Sequence, residues 1–462
     1  MIDSQIQDNL RFIVGADKVL SDTIDLDRYS TDALTPSRAF GIEDQLNRLA
    51  DVVVIPSNVS QISQIMTLAN ETKTPVIPYG GGTGVMGGVL PIHGGIIINT
   101  RELNSVLEIN SVDRTTTAES GVRIGSLGEN LELHGLMPAH DPYSQAIATV
   151  GGAISTNGVG YKAGSYGTMG DQVVSMEVVL PNGTIIDTKS VPKYSSGPNL
   201  NHIFIGTEGV FGIITKATLK IFRIPESQIF STWSFDTFDQ GFNACVELHA
   251  LGIRPTLLDL TEEPPNTLLY LLYEGYTEGV EAQKLRAHKV LTSFGGIDIG
   301  PHLTDEYWTH RHDSAVRYKS EALDQPRAIR WNRFANRSFD YLHVSLPISK
   351  ILEYRRRCDS IFALSDFRVV EYAIWSRPEM FSMMITPKAG INMPSQESLG
   401  RLVDEILILA QDMGGIMEYC HGIGVKLNHL IQREMGTSYQ TIQLLKQSLD
   451  PAGIMNPGKL SL

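Results

Sequence analysis

The chain has 462 residues, 42% hydrophobic and 19% charged, which supports a folded protein with a sizeable core and excludes disordered and fibrous classes. Its 38 Lys and Arg face 51 Asp and Glu, a net charge of -13, so the bulk field repels polyanions and no nucleic-acid partner is expected. Cys245, Cys358 and Cys420 form no C-x-x-C pair, which sets aside a disulfide framework and cysteine-built metal sites. The opening MIDSQIQDNLRFIVGADK lacks a basic stretch followed by an apolar core, and no apolar run nears the roughly 20 residues that span a bilayer. A soluble, cytoplasmic protein is expected, and a homodimer is compatible with the sequence.

Residues 51–55 (DVVVI) read as a buried strand. Residues 59–70 read as an amphipathic helix with Ile62, Ile65, Met66 and Leu68 on one face, and PVIPYG as a second strand, a unit that suits a parallel pair. The next stretch, YGGGTGVMGG, places Gly82, Gly84 and Gly87 at the G-x-G-x-x-G spacing of a dinucleotide-binding turn. Such a turn must open directly into a helix. Here Pro91 and further glycines lead instead into the β-rich run IIIN, so Glu102, at about the separation of a ribose-binding acid, lacks the context that would give it that role. The stretch is read as an anion cradle centred on Gly80, Gly81, Gly82, Thr83 and Gly84.

A second glycine-rich tract spans 141–170, and VVSMEVVLPNGTIIDT reads as a hairpin turning at Pro181-Asn182-Gly183. A third glycine cluster, IGTEGVFGIIT, runs into another strand. Three such clusters separated by strands point to one extended ligand approached closely by backbone at several places. From 226 to 410 the glycines thin and aromatics and arginines gather, as in WTHRHDSAVRYK, IRWNRFANRSFDY and EYAIWSRPEMF, which marks a second domain of mixed α and β character. Arg355, Arg356 and Arg357 in EYRRRCD read as a solvated helical face. Glycines return after 411 in HGIGVK, followed by a helix over TIQLLKQSL and the tail DPAGIMNPGKL. The expected division is 1–225, 226–410 and 411–462.

Four of these motifs, in order, resemble the vanillyl-alcohol oxidase and p-cresol methylhydroxylase superfamily of FAD-linked oxidoreductases. PYGGGTGVMGG looks like its pyrophosphate loop, and DPYSQAIATVGGAISTNGVG like the segment that runs along the flavin. GTEGVFGIIT looks like the segment near the adenine half, and HGIG with LDPAGIMNPGKL like its C-terminal signature. The resemblance implies an α+β fold: an FAD-binding domain of two subdomains, an α/β cap (substrate) domain, and a C-terminal segment returning to the flavin. Carried over by position, the cofactor-binding residues are Pro78, Tyr79, Gly80, Gly81, Gly82, Thr83 and Gly84 in the loop. In the second tract they are Asp141, Pro142, Ser144, Ala148, Thr149, Gly151, Gly152, Ser155, Thr156, Asn157, Gly158, Tyr166 and Gly167. Glu208, Gly209, Gly212, Ile213, Ile214 and Asn456 complete the set. No Lys or Arg occurs in 79–88, so backbone N–H groups would meet the pyrophosphate. His93 lies well past the loop, so FAD is expected to be non-covalent.

The implied reaction is oxidation of a small 2-hydroxy acid of the D-lactate or glycolate type by hydride transfer to flavin N5, with an electron acceptor that the sequence does not identify. The alternative is a transferase similar to alkyldihydroxyacetonephosphate synthases, which the stretches 155–174 and 193–209 also resemble. Those synthases carry three histidines before G-x-G, where this chain has Tyr419, Cys420 and His421. His421 is the expected catalytic base, since an imidazole suits removal of the hydroxyl proton. Metal-dependent relatives carry H-x-G-D-G-N-x-x-H in the cap and Glu before the final His-Gly. Here EYAIWSRPEMFSMMI has no histidine and Cys420 replaces the Glu, with Glu418 out of register, so no catalytic metal is expected. Arg311, Arg317 and Arg377 are favoured over Arg333 and Arg337 as substrate anchors, with Tyr372 as a hydrogen-bond donor.

Overall fold

Among the described residues the chain forms three sheets, each with its own packing logic. The computed structural model describes residues 2–333, 337–390 and 393–462, so part of the arginine-bearing stretch IRWNRFANRSFDY lies outside the described residues. In the first sheet the strands Val19–Leu20, Val52–Val54, Ile96–Asn99 and Val76–Tyr79 lie in that order, the last three parallel. The expected strand–helix–strand unit forms, with one difference: IIIN inserts between the two strands expected to pair. Val52–Val54 and Ile96–Asn99 are buried throughout because helices and neighbouring sheets cover both faces. The connecting helix Val59–Thr72 is capped by Asn58, whose side chain accepts from Gln61 N, and it buries Ile62, Ile65, Met66 and Ala69. No helix follows the glycine loop, and residues 80–95 run irregularly into Ile96–Asn99.

The second sheet orders Val106–Asn110, Thr115–Glu119, Ile213–Arg223, Val173–Val179 and Ile185–Asp187, with Leu136–Pro138 also pairing the long Ile213–Arg223 strand. Val173–Val179 and Ile185–Asp187 form the expected hairpin. Helix Val150–Thr156, from the second glycine tract, packs on this sheet through Val150, Ala153 and Ile154.

The third sheet has seven antiparallel strands in the order Ile297–Gly300, Ser227–Phe235, Asn266–Gly275, Leu257–Glu263, Phe367–Trp375, Met380–Pro387 and Asp340–Ser345. In four of these strands, side chains alternate with the period of two that the β backbone imposes. Leu258, Leu260, Tyr372, Ile374, Phe381, Met383, Leu342 and Val344 enter the hydrophobic core shared with helices Phe238–Ala250, Ile351–Leu364 and Gln396–Asp412. Their neighbours Asp259, Ala373, Trp375, Ser382, Tyr341 and His343 face a cavity on the other side. Arg355 departs from the expected solvated face: it pairs with Glu262 and lies over the Phe238 and Tyr372 rings at 4.5 and 4.7 Å, while Arg356 and Arg357 are exposed.

The C-terminal segment closes back on the first sheet. Met455 makes a parallel bridge to Val76, and Lys446 Nζ donates to the carbonyls of Val210 and Met455.

Candidate active site

A cavity of about 1010 Å³ runs between the first two sheets and the roof formed by the third. That is the upper end of the roughly 300–1,000 Å³ typical of ligand sites, as suits an extended cofactor with a substrate beside it. The wall on one side is largely backbone. Gly80, Gly81 and Gly82 line it, and a Cβ on them would stand 2.5 Å from Thr149 Oγ1, 2.7 Å from the Ile147 carbonyl and 2.2 Å from the Tyr79 hydroxyl. Gly82 also has φ +67°, so glycine is required there twice over. Arg101 donates to the carbonyls of Gly80 and Gly81, fixing the loop from behind.

Most of the expected cofactor residues line this cavity: Pro78 to Gly84, Pro142, Ser144, Ala148, Thr149, Gly151, Gly152, Ser155, Thr156, Gly158, Glu208, Gly209, Gly212, Ile213 and Ile214. Five do not, and each has a structural task. Asp141 is buried between Arg311 Nε at 3.0 Å and His312 Nε2 at 2.9 Å. Burial alone would raise its pKa, but the hydrogen bond with His312 and the Arg311 guanidinium hold it below the usual range. Asn157 ends helix Val150–Thr156 in the left-handed region, its Oδ1 accepting from Thr168 Oγ1 and Gly170 N. Tyr166 packs against Phe222, and Gly167, at φ +83°, turns beside Asp171. Asn456 donates from Nδ2 to the carbonyls of Gly88 and Glu208, which ties the tail to two of the glycine clusters.

Glu208 joins the third cluster to HGIG. Its carboxyl accepts from Gly424 N at 2.9 and 3.0 Å, and burial raises its pKa to about 7. The HGIG glycines follow from this packing. A Cβ at Gly422 would meet Glu208 Oε1 at 2.8 Å, and one at Gly424 would meet the Met86 carbonyl at 2.0 Å, both at positive φ.

Among the proposed substrate residues, Arg317 and His421 line the cavity, and so do Arg333 and Arg337, the two arginines ranked lower. Arg311 does not: its guanidinium stacks 3.8 Å over Trp308 and bonds Asp141, bracing the cap against the second glycine tract. Arg377 lies in the turn before Met380–Pro387 and is absent from the lining. Tyr372 points to the opposite face of the sheet, where its hydroxyl donates to Asp359 at 2.5 Å and its ring packs on Phe238 and Phe381. Strand alternation is the reason: residues 373 and 375 face the cavity, so 372 cannot.

His421 stands at the edge of the roof. Its side chain is 31% exposed, and its Nδ1 is 3.6 Å from Oε1 of Glu418, itself 1% exposed. Oε1 also accepts from the backbone N–H groups of Cys420 and His421. His343, on Asp340–Ser345, puts its ring 4.6 Å from that of His421 and its Nδ1 4.0 Å from Glu418 Oε2. Burial would lower the His421 pKa, but Cys420 and Glu418 beside it raise it to about 10. His343 is held well below its usual value by burial, then by His421, Arg38 and Lys426. One imidazole is therefore cationic and its neighbour neutral. The register argument that set Glu418 aside fails in space. His343, Glu418 and His421 each offer a ligand atom within 4.8 Å of the others, a set able to hold a metal ion.

Sequence reasoning missed His343, Asp259, Tyr307 and Tyr341, which all line the cavity. Alternation in DYLHVS and LLDLTEE, with single polar residues between buried apolar ones, was the available signal for His343, Tyr341 and Asp259. Several cavity-lining polar atoms are buried without a hydrogen-bond partner, among them Nδ1 of His140 and Nε of Arg330. Leaving a buried polar group unmatched costs about 1–3 kcal/mol, so these atoms fit a wall built around a polar cofactor and substrate.

Comparison with known proteins agrees with this geometry. The chain matches the family model described as FAD binding domain over residues 50–189 and that described as FAD linked oxidases, C-terminal domain, over residues 260–460. It is 29% identical to a D-lactate dehydrogenase of Archaeoglobus fulgidus over 88% of this chain and 91% of the relative. It is 26% identical to a glycolate oxidase subunit of Bacillus subtilis, over 90% of each. Among solved structures, an alkyldihydroxyacetonephosphate synthase superposes with TM-score 0.80 at 17% identity, covering 100% of this chain and 86% of the other. A p-cresol methylhydroxylase does so with TM-score 0.79 at 16% identity, covering 99% and 96%. No helix among the described residues is long and apolar enough to cross a membrane. The glycine-lined cavity, the roof over it and these matches together make the chain an FAD-dependent oxidoreductase of the vanillyl-alcohol oxidase and p-cresol methylhydroxylase superfamily, acting on CH–OH groups.

Proposed function

We propose that the enzyme oxidises a 2-hydroxy acid of the D-lactate or glycolate type to the 2-oxo acid. The observation that carries the reading is the His421–Glu418–His343 group at the edge of the roof, open to the same cavity as the glycine loop. The names of the sequence relatives favour the same substrate class. Bound FAD supplies the two-electron acceptor for the C2 hydrogen. The chain supplies the rest: the arginines of the 317–337 segment attract the carboxylate, and His421, the member of the histidine pair facing the cavity, takes the hydroxyl proton in its deprotonated minority form, with Glu418 fixing its orientation.

In this reading residues 1–225 hold FAD, 226–410 hold substrate and 411–462 bring His421 to the junction. FAD is bound non-covalently, consistent with His93 being exposed and outside the cavity lining. Acid precipitation should release all the flavin into the supernatant, and flavin remaining with the protein would overturn that point. In this reading the histidine pair itself transfers the proton and no metal ion takes part. Activity lost to a chelator and restored by zinc or manganese would replace the histidine pair by a metal centre.

Anaerobic mixing of the holoenzyme with D- and L-2-hydroxy acids tests the reaction itself. Bleaching of the oxidised flavin band by one enantiomeric series is the expected result. No bleaching, with adduct formation on an acyl-dihydroxyacetone phosphate, would establish the synthase-like alternative.

A further inference from the structure

The roof of the cavity is charged unevenly. At the Asp340–Ser345 edge strand, Lys426 and Arg38 both pair with the single carboxylate of Asp340, and Arg337 lines the cavity just before the strand. Cross-strand partners then lead inward from His343 to Ser382, Ala373 and Thr261. Three strand steps separate His343 from Thr261, about 14 Å at the usual spacing. At that far end stands Asp259, two residues from Thr261 on the same face, lining the cavity and 9% exposed.

Asp259 is dressed for hydroxyl groups. Thr261 Oγ1 donates to its Oδ1 at 2.7 Å and the Tyr307 hydroxyl to its Oδ2 at 2.9 Å. A carboxylate has about four acceptor positions, so each oxygen keeps one for a ligand. The walls beside it are aromatic: Tyr161 lies edge-on to Trp375 at 5.7 Å and to Tyr307 at 6.0 Å. Neither Arg311 nor Arg377, the arginines sequence-close to this end, lines the cavity.

We infer that the substrate is a 2-hydroxy acid with a polyhydroxylated tail, of the aldonate type, whose far hydroxyls bond Asp259 and Tyr307 while its carboxylate lies toward the cationic edge strand. The inference rests on the 2-hydroxy-acid reading above and adds the tail. A lactate-sized molecule held at His421 leaves Asp259 without a ligand partner. A second carboxylate at that end would meet Asp259 as a like charge. A site built to bond a hydroxyl discriminates strongly against analogues that lack it, because its buried groups are left unmatched.

The test is anaerobic stopped-flow reduction of the holoenzyme by D-lactate, D-2-hydroxyglutarate, 4-amino-2-hydroxybutanoate and a set of epimeric aldonates including D-gluconate. An aldonate should reduce the flavin with the highest ratio of rate to dissociation constant. Its advantage over D-lactate should fall about tenfold or more in Tyr307→Phe and in Asp259→Asn, the loss expected for a bond to a buried carboxylate. Retained flavin absorbance and circular dichroism keep the result readable, and Tyr307→Phe alone suffices if Asp259→Asn does not fold. Preference for lactate, the dicarboxylate or the ammonium acid, or variants that leave the aldonate-to-lactate ratio unchanged, would overturn the inference while leaving 2-hydroxy-acid oxidation intact. Failure of every acid to bleach the flavin would remove both.

Discussion

The two sides of the cavity are made differently. The wall in which we place FAD is backbone: Gly80 to Gly84, Gly151, Gly152, Gly209 and Gly212 line it from three separate sequence clusters. The roof against which we place substrate is side chains, one or two from each of four strands, together with His421 from the C-terminal segment. A backbone wall recognises what all members of a superfamily share, whereas a side-chain roof changes specificity with single substitutions that leave the sheet intact. The difference implies that substitutions in the wall affect loading and folding, and those in the roof affect turnover.

The largest effect should come from His421→Ala, which is expected to leave FAD bound and slow flavin reduction by roughly 10²- to 10⁴-fold, as for loss of a positioned base. Flavin reduction at the native rate would break the assignment. Gly424→Ala is the matching test of the wall: its Cβ would overlap the Met86 carbonyl at positive φ, a strain of about 3 kcal/mol or more. The variant should purify with little flavin or not fold at all, and a yellow, stable variant would contradict the packing.

A pH profile separates the two sides further. His421 is raised to about 10, so its proton-accepting form gains population as pH rises toward that value. Reduction at subsaturating substrate should therefore climb through the neutral range and level near 10, with the apparent value belonging to the histidine pair. A plateau already reached at pH 7 would assign the base to His343, which is neutral there. On the wall side, Glu208 has a folded value of about 7, above its ordinary carboxylate value, so ionising it disfavours the folded state progressively between pH 4.5 and 7. Glu208→Gln should therefore lose less Tm relative to the native chain at pH 8 than at pH 5, and the opposite trend would show that its carboxylate is needed charged.

The smallest effect belongs to Tyr372→Phe, which removes the bond to Asp359 behind the sheet. About 1 kcal/mol of stability and less than a twofold change in turnover are expected. A large kinetic change would mean that strand alternation does not divide the roof as described.

The wall was legible because glycine is chosen by backbone conformation, and runs such as YGGGTG and TVGGAISTNG carry that choice in consecutive letters. The roof was not, because its chemistry is assembled across strands. His343 and His421 touch, yet nothing local in HVSLP marks a partner in HGIG. Arg311 and Arg377 were favoured for their tryptophan neighbours, but one neighbour became a stacking platform and the other left its arginine in a turn. Tyr372 was a matter of parity: one residue along a strand decides between cavity and core. The parallel pairing of the first strands was legible in direction but not in order, since IIIN, read only as following the loop, lies between them.

Asn456 joins distant parts of the chain. It bonds the carbonyl of Gly88, a residue 368 positions earlier, and the next lysine, Lys459, bonds the carbonyl of Leu90. The loop is thus braced twice, locally by Arg101 and across almost the whole chain by Asn456 and Lys459, so its shape depends on residues from both ends of the sequence.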